Sequence, residues 1–212
     1  MVKGEDATST MSGMKYNLIV TLFVSLAVGL MSSAYSAGGA EADRSSMGSS
    51  AAYPEGAVVI EKIIELPGLK NVGRVAPNIY RGAQPERAGY ETLRKMGIRT
   101  VINLRTTKSE KDEVEAAGMR YVEIPMSMLS GVDREKVDHA VDVMADPGEQ
   151  PVFVHCRLGH DRTGIVVAAY RMREEGWTLQ MAEAEMEEYG FNDVWLHFKS
   201  FLKEYSEHYR ER

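Results

Sequence analysis

The chain's only cysteine, Cys156, is separated by five residues from Arg162 in the segment PVFVHCRLGHDRTG, residues 151–164. A β-rich apolar run, Pro151 to Val154, leads into it, and an apolar stretch, Ile165 to Tyr170, follows. This pattern reads as a strand, a tight loop and the first turn of a buried helix. The first N–H groups of a helix lack intrahelical partners, so such a junction attracts anions. A thiol at the head of that loop shares the positive field, which favours thiolate, the nucleophilic form of sulfur. Arg162 adds a planar fork that holds two phosphate oxygens at once. Nucleophile and oxyanion clamp fall in one short segment, suited to attack on phosphorus.

HCRLGHDRTG resembles the signature loop of the cysteine-dependent protein tyrosine phosphatase superfamily: His-Cys, five residues, Arg, then Ser or Thr. Its Asp161-Arg162-Thr163-Gly164 ending is similar to that of the bacterial and atypical dual-specificity branch. Two more stretches, VAPNIYRGAQP (75–85) and TVINLRTTKSE (100–110), resemble segments of the same branch. The resemblance implies an α/β fold of three layers, with a mostly parallel central sheet of four to five strands flanked by helices. It implies a phosphatase that needs no cofactor and no metal.

In that chemistry Cys156 attacks phosphorus and forms a thiophosphate that water then hydrolyses. The phosphate charge must be neutralised and the leaving oxygen protonated. Arg162 and the backbone N–H groups of Arg157, Leu158, Gly159, His160, Asp161 and Arg162 serve the first need. Gly159 suits a loop whose N–H groups turn inward, where side chains obstruct. Thr163 can donate its hydroxyl to sulfur in the second step, or serve only as an N-terminal helix residue. His155 is expected to orient the loop, as in the family. His160 can face either substrate or solvent.

The family takes its general acid from the loop after the preceding strand, here IPMSMLSGVD, residues 124–133. The expected position holds Met126, Ser127 and Met128 instead. Two carboxylates remain as candidates. Asp161, inside the signature loop, is preferred; Asp133 also reads as the cap of the next helix. Arg105, just past a strand end, is expected to line the pocket. Arg81 reads as a second pocket arginine or as half of a buried ion pair. Asn103 is expected to satisfy backbone near the site. Arg157, Lys108 and Lys111 extend the positive rim or simply meet solvent.

Rival readings can be weighed from the same residues. A His155–Cys156–His160 metal site lacks tetrahedral spacing, and metal would block the nucleophile. A catalytically silent phosphate-binding module would have lost Cys156 or Arg162. A rhodanese-like sulfurtransferase also places cysteine in a strand–loop–helix, but lacks the Arg162-Thr163-Gly164 ending. The expected substrate is a phosphorylated protein, or alternatively an inositol phosphate or phosphoinositide.

The elements that position these residues follow from periodicity and punctuation. An edge strand is expected within Val58 to Leu66. Val72 to Val75 and Ile79 to Arg81 read as short paired strands turning at Ala76-Pro77-Asn78. A helix from Pro85 to Met96 stops at Gly97, and another from Ser109 to Ala117 stops at Gly118. Thr100 to Leu104, Arg120 to Ile124 and Pro151 to His155 read as strands. Asp133 opens a helix with Val137, Ala140, Val141 and Met144 on one face. Helices follow over Thr163 to Glu175, from Thr178 to Gly190, and from an Asn192 or Asp193 cap toward Tyr209. Trp177, Trp195, Phe198, Phe201 and Tyr205 are expected to pack these helices onto the body. Strands alternating with helices predict a parallel-rich sheet with its site at the strands' carboxyl ends.

With 212 residues, 44% hydrophobic, the chain can make one sizeable domain. A net charge of −6 speaks against a nucleic-acid surface, which needs a basic face. Leu18 to Met31 is an uncharged apolar run behind Lys15, shorter than the ~20 residues of a spanning helix. Residues 1–40 therefore read as a secretory signal segment, with Met14 a possible true start. Cleavage is expected after small residues at Ser32-Ser33-Ala34 or Gly38-Gly39-Ala40; an uncleaved N-terminal membrane anchor is the alternative. Residues 41–56 read as a flexible linker and 57–212 as the phosphatase domain. The expectation is a protein exported to the periplasm or secreted.

Overall fold

The computed structural model describes residues 61–63 and 66–210. The signal segment, the linker and their boundaries lie outside the described residues. Chain order runs β1 (Glu61–Ile63), β2 (Val72–Ala76), β3 (Ile79–Ala83), α1 (Arg87–Lys95), β4 (Thr100–Asn103) and α2 (Lys111–Ala116). It continues with β5 (Arg120–Glu123), α3 (Arg134–Ala145), β6 (Val152–Cys156), α4 (Asp161–Glu174), α5 (Leu179–Glu188) and α6 (Leu196–Arg210).

One sheet gathers the strands in the order β1-β2-β3-β6-β4-β5. The segment β3-β6-β4-β5 is parallel, as the strand–helix alternation requires. β1, β2 and β3 form an antiparallel edge. The expected four to five strands thus become six among the described residues. The added pairing is local: Pro77-Asn78 turns β2 back on β3, and three residues of the expected 58–66 strand pair with β2.

Side chains alternate across the sheet, and so does the core. Val101 and Phe153 pack with Leu93 and Val114 under α1 and α2. Ile102, Val152 and Val154 pack on the other face with Val141, Ile165 and Phe198 from α3, α4 and α6. These are the three layers predicted. Fully burying each such side chain contributes about 1.5–3 kcal/mol, so β6, covered on both faces, is a firm support for the residues at its end. The alternation along β6 also sends His155 toward the α1–α2 face and Cys156 toward the α3–α4 face.

The helix stops at Gly97 and Gly118 fall where expected, both at φ +79°. α6 begins later than the sequence suggests, at Leu196. Asn192 caps a turn instead, its Oδ1 accepting from Val194 N at 3.2 Å. Tyr205 buries its ring and donates to Asp138 Oδ1 at 2.7 Å, tying α6 to α3.

Candidate active site

β6 delivers Cys156 to the carboxyl edge of the sheet, and α4 starts five residues later at Asp161. The intervening turn depends on Gly159, at φ +72°. A Cβ there would lie 2.5 Å from the Gly82 carbonyl carbon, so glycine is required both by backbone angle and by space. Gly159 thus lets the loop press against β3.

Four successive carbonyls of this loop are held from outside. Cys156 O contacts His155 Nδ1 at 3.3 Å, and Arg157 O accepts from Gln84 N at 3.4 Å. Leu158 O accepts from Asn71 Nδ2 at 3.2 Å, and Gly159 O from Arg81 Nη2 at 3.0 Å. In a trans peptide the carbonyl and the following N–H point in opposite directions. With their carbonyls turned out, the N–H groups of Arg157, Leu158, Gly159 and His160 turn in, and none has a protein acceptor among the described residues. The loop is a nest of unspent donors.

Arg162 completes it from the first turn of α4. Its Nε is buried without a hydrogen bond, and Nη1 reaches Leu104 O only at 3.5 Å. Leu104 O also accepts from Met126 N at 3.2 Å, so the 124–133 loop begins beside this arginine. Thr163 Oγ1 is buried and likewise unpartnered. Cys156 is 2% exposed, and Arg157 and Leu158 form the exposed lip. Cys156 thus ends β6, and Arg162 and Thr163 stand in the first turn of α4 with buried donors that no protein group among the described residues accepts from.

Behind the loop lie two buried ionic groups. His155 Nε2 sits 2.5 Å from Glu110 Oε1 in a fully buried contact, and the ring stacks on Phe153. Gln84 Nε2 donates to the other Glu110 oxygen. His155 thus serves as a support facing away from the sulfur side, and does not converge with His160 on Cys156. The second group joins Arg81 Nη1 to Glu185 Oε1 at 3.6 Å and Arg171 Nε to Glu185 Oε2 at 2.9 Å. Burial pushes Arg81 below the usual guanidinium range and Glu185 above the usual carboxylate range, each opposed by its partner. Of the two readings of Arg81, the buried ion pair is the one found, with the Tyr189 ring 3.8 Å from its guanidinium.

The remaining candidates separate. Asp161 Oδ1 accepts from Asn192 N at 3.0 Å, linking the loop to the α5–α6 connection. His160 packs on that connection too, its ring carbon 3.1 Å from where a Gly190 Cβ would stand. Asp133 caps α3, accepting from Glu135 N and Lys136 N at 3.1 and 3.4 Å. It borders a pocket of 200 Å³ with Ser127 and Met126. Asn103 accepts from Arg105 N at 2.8 Å and donates to Tyr121 Oη, holding the turn that leaves Arg105 half-buried beyond β4. Asn71, Gln84, Glu110 and Glu185 escaped the sequence reading. Asn71 and Glu185 carried no signal, whereas Gln84 and Glu110 stood within the two secondary motifs.

A family model described as "DSP-PTPase phosphatase fused to NAD+ Kinase" matches residues 70–204, a stretch that includes the loop. The dual specificity protein phosphatase TpbA of Pseudomonas aeruginosa (strain UCBPP-PA14) is 31% identical over 123 residues, 58% of this chain and 56% of that protein. The chain thus spans little more than half the length of this relative. The inositol diphosphatase SIW14 of Saccharomyces cerevisiae is 22% identical over 157 residues, 70% of this chain and 55% of its own length. The crystal structure of P. aeruginosa TpbA superimposes with a TM-score of 0.57 at 26% identity, covering 66% of this chain and 87% of that one. With its loop, its sheet and most of its described length accounted for, the chain belongs to this DSP-PTPase phosphatase family.

Proposed function

We propose that this protein is an exported phosphomonoester hydrolase acting on phosphorylated tyrosine, serine or threonine of proteins. The observation that carries the reading is the set of unspent donors around Cys156: four loop N–H groups, Arg162 Nε and Thr163 Oγ1. Together they suit a tetrahedral dianion.

In the first step the Cys156 sulfur attacks phosphorus, the ester P–O bond breaks, and Asp161 protonates the leaving oxygen. Asp133 is the alternative donor. Arg162 and the loop N–H groups take up the charge on the equatorial oxygens. In the second step water attacks the thiophosphate, its proton passes to the carboxylate, and the P–S bond breaks. The Thr163 hydroxyl eases departure of sulfur by donating to it. Export rests on the Leu18 to Met31 run, with N-terminal anchoring as the alternative.

A second reading, an inositol-phosphate or phosphoinositide phosphatase, is supported by the similarity to the yeast inositol diphosphatase. The purified protein is expected to hydrolyse p-nitrophenyl phosphate with EDTA present, and strict dependence on metal overturns the mechanism. Cys156→Ser is expected to abolish turnover yet still bind phosphate. A competitive panel of phosphopeptides and inositol phosphates then separates the two substrate classes.

A further inference from the structure

Asn71 joins the phosphate loop, the start of the edge hairpin and the end of α5. It lies just before β2 with φ +52°, in the left-handed region. That region is costly for most side chains and somewhat less so for asparagine. Its Nδ2 approaches Leu158 O at 3.2 Å, Gly159 O at 3.4 Å and Tyr189 O at 3.1 Å. All three are carbonyl oxygens and can only accept, which fixes the amide's orientation. A strained backbone angle that aims one amide at three carbonyls calls for a reason.

We propose that Asn71 is a positioning residue for phosphoryl transfer: its amide, with Arg81 beside it, holds the Leu158 and Gly159 carbonyls outward and so aims the next N–H groups at the transferred phosphoryl. The assignment rests on the phosphatase reading above. The logic is that of the trans peptide. Leu158 O and Gly159 N–H belong to one plane, as do Gly159 O and His160 N–H, so fixing each oxygen fixes the opposite donor. The same hydrogen bonds polarise each peptide and strengthen the inward donor. Gly159 has no side chain to hold its own orientation, which leaves that task to its neighbours. Through Tyr189 O, Asn71 also ties the loop to the end of α5, whose Glu185 pairs with Arg81.

The test compares wild type, Asn71→Gly and Asn71→Asp in the full chain, with p-nitrophenyl phosphate as substrate and vanadate as inhibitor. Glycine accepts φ +52° without strain, so Asn71→Gly removes the donor while sparing the fold. It is expected to keep the thermal midpoint, to lose about 10- to 100-fold in kcat/KM, and to weaken vanadate inhibition in parallel. Asn71→Asp, with the same shape but an oxygen facing carbonyl oxygens, is expected to lose more. A merely structural role would lower the active fraction, and so kcat, while leaving KM and the vanadate constant unchanged; that result overturns the proposal. So does Asn71→Gly at wild-type kcat/KM. If wild type itself hydrolyses no phosphomonoester, the phosphatase reading fails and the proposal falls with it.

Discussion

His155 and Glu110 meet 2.5 Å apart, both fully buried, directly behind the strand end that carries Cys156. The pair draws its members from segments 45 residues apart and adds Gln84 as a third partner. Because the ring's other nitrogen contacts Cys156 O, the Glu110 carboxylate fixes the loop's first peptide through an intermediate ring. Removing it takes away the buried His155 ring's ion-pair partner and the acceptor of the Gln84 amide. Glu110→Ala is expected to cost about 1–3 kcal/mol of stability, read from urea unfolding, and to lower kcat. Unfolding at the wild-type midpoint would show that the contact contributes nothing.

Gly159→Ala joins two penalties that side-chain adjustment cannot relieve. The residue's φ of +72° disfavours a Cβ, and the added atom meets the backbone of Gly82 rather than a movable side chain. Strain of roughly 1–3 kcal/mol from the angle alone is expected, with the steric clash beyond it. The variant should unfold at lower urea concentration and lose turnover, because the loop must lift away from β3. Normal activity would mean that the N–H groups need not point as derived.

The alkaline limit of stability should be set by buried phenols. Burial raises Tyr90 and Tyr189 to about 12, and raises Tyr205 as well. A group with a raised folded value stabilises the fold fully below its ordinary value of about 10. Between about pH 10 and 12 the unfolded chain loses its proton first, and the advantage fades. Tyr189 Oη is buried without a hydrogen bond, so Tyr189→Phe gives up no partner at neutral pH. The variant should match wild type at pH 8 and exceed it by on the order of 2 kcal/mol near pH 12. Parallel urea titrations across that range check the sign; identical slopes would mean that Tyr189 ionises as freely in the fold as in the unfolded chain.

What the sequence made legible was contiguous. Cys156, Gly159, Arg162 and Thr163 lie within eight residues, so local backbone rules relate their geometry directly. The parallel core was legible too, because β-branched runs alternating with amphipathic helices admit few other topologies. The supports were not. Asn71 reaches a carbonyl 87 residues away, and Glu185 meets Arg81 from the opposite end of the domain. No spacing rule links such positions; only packing does. The start of α6 failed for a related reason. Asn192 has the right side chain for a helix cap, but its N–H is taken by Asp161 and its Oδ1 by a tight turn.

That bond makes the general acid testable by substitution that keeps shape. In Asp161→Asn a carbonyl oxygen can still accept from Asn192 N, and in Asp133→Asn the cap of α3 survives, since asparagine caps as well as aspartate. Each change therefore removes a transferable proton and little else. If Asp161 is the donor, Asp161→Asn should lower kcat by about 100- to 10,000-fold and remove the alkaline fall of the pH–rate profile, while Asp133→Asn keeps both limbs. The loss should shrink for p-nitrophenyl phosphate relative to a phosphoserine peptide, because a good leaving group needs less protonation. The reverse pattern assigns the proton to Asp133, the last residue of the 124–133 loop. Should neither variant alter the profile, water or the substrate supplies the proton, and Asp161 serves only to fasten the phosphate loop to Asn192.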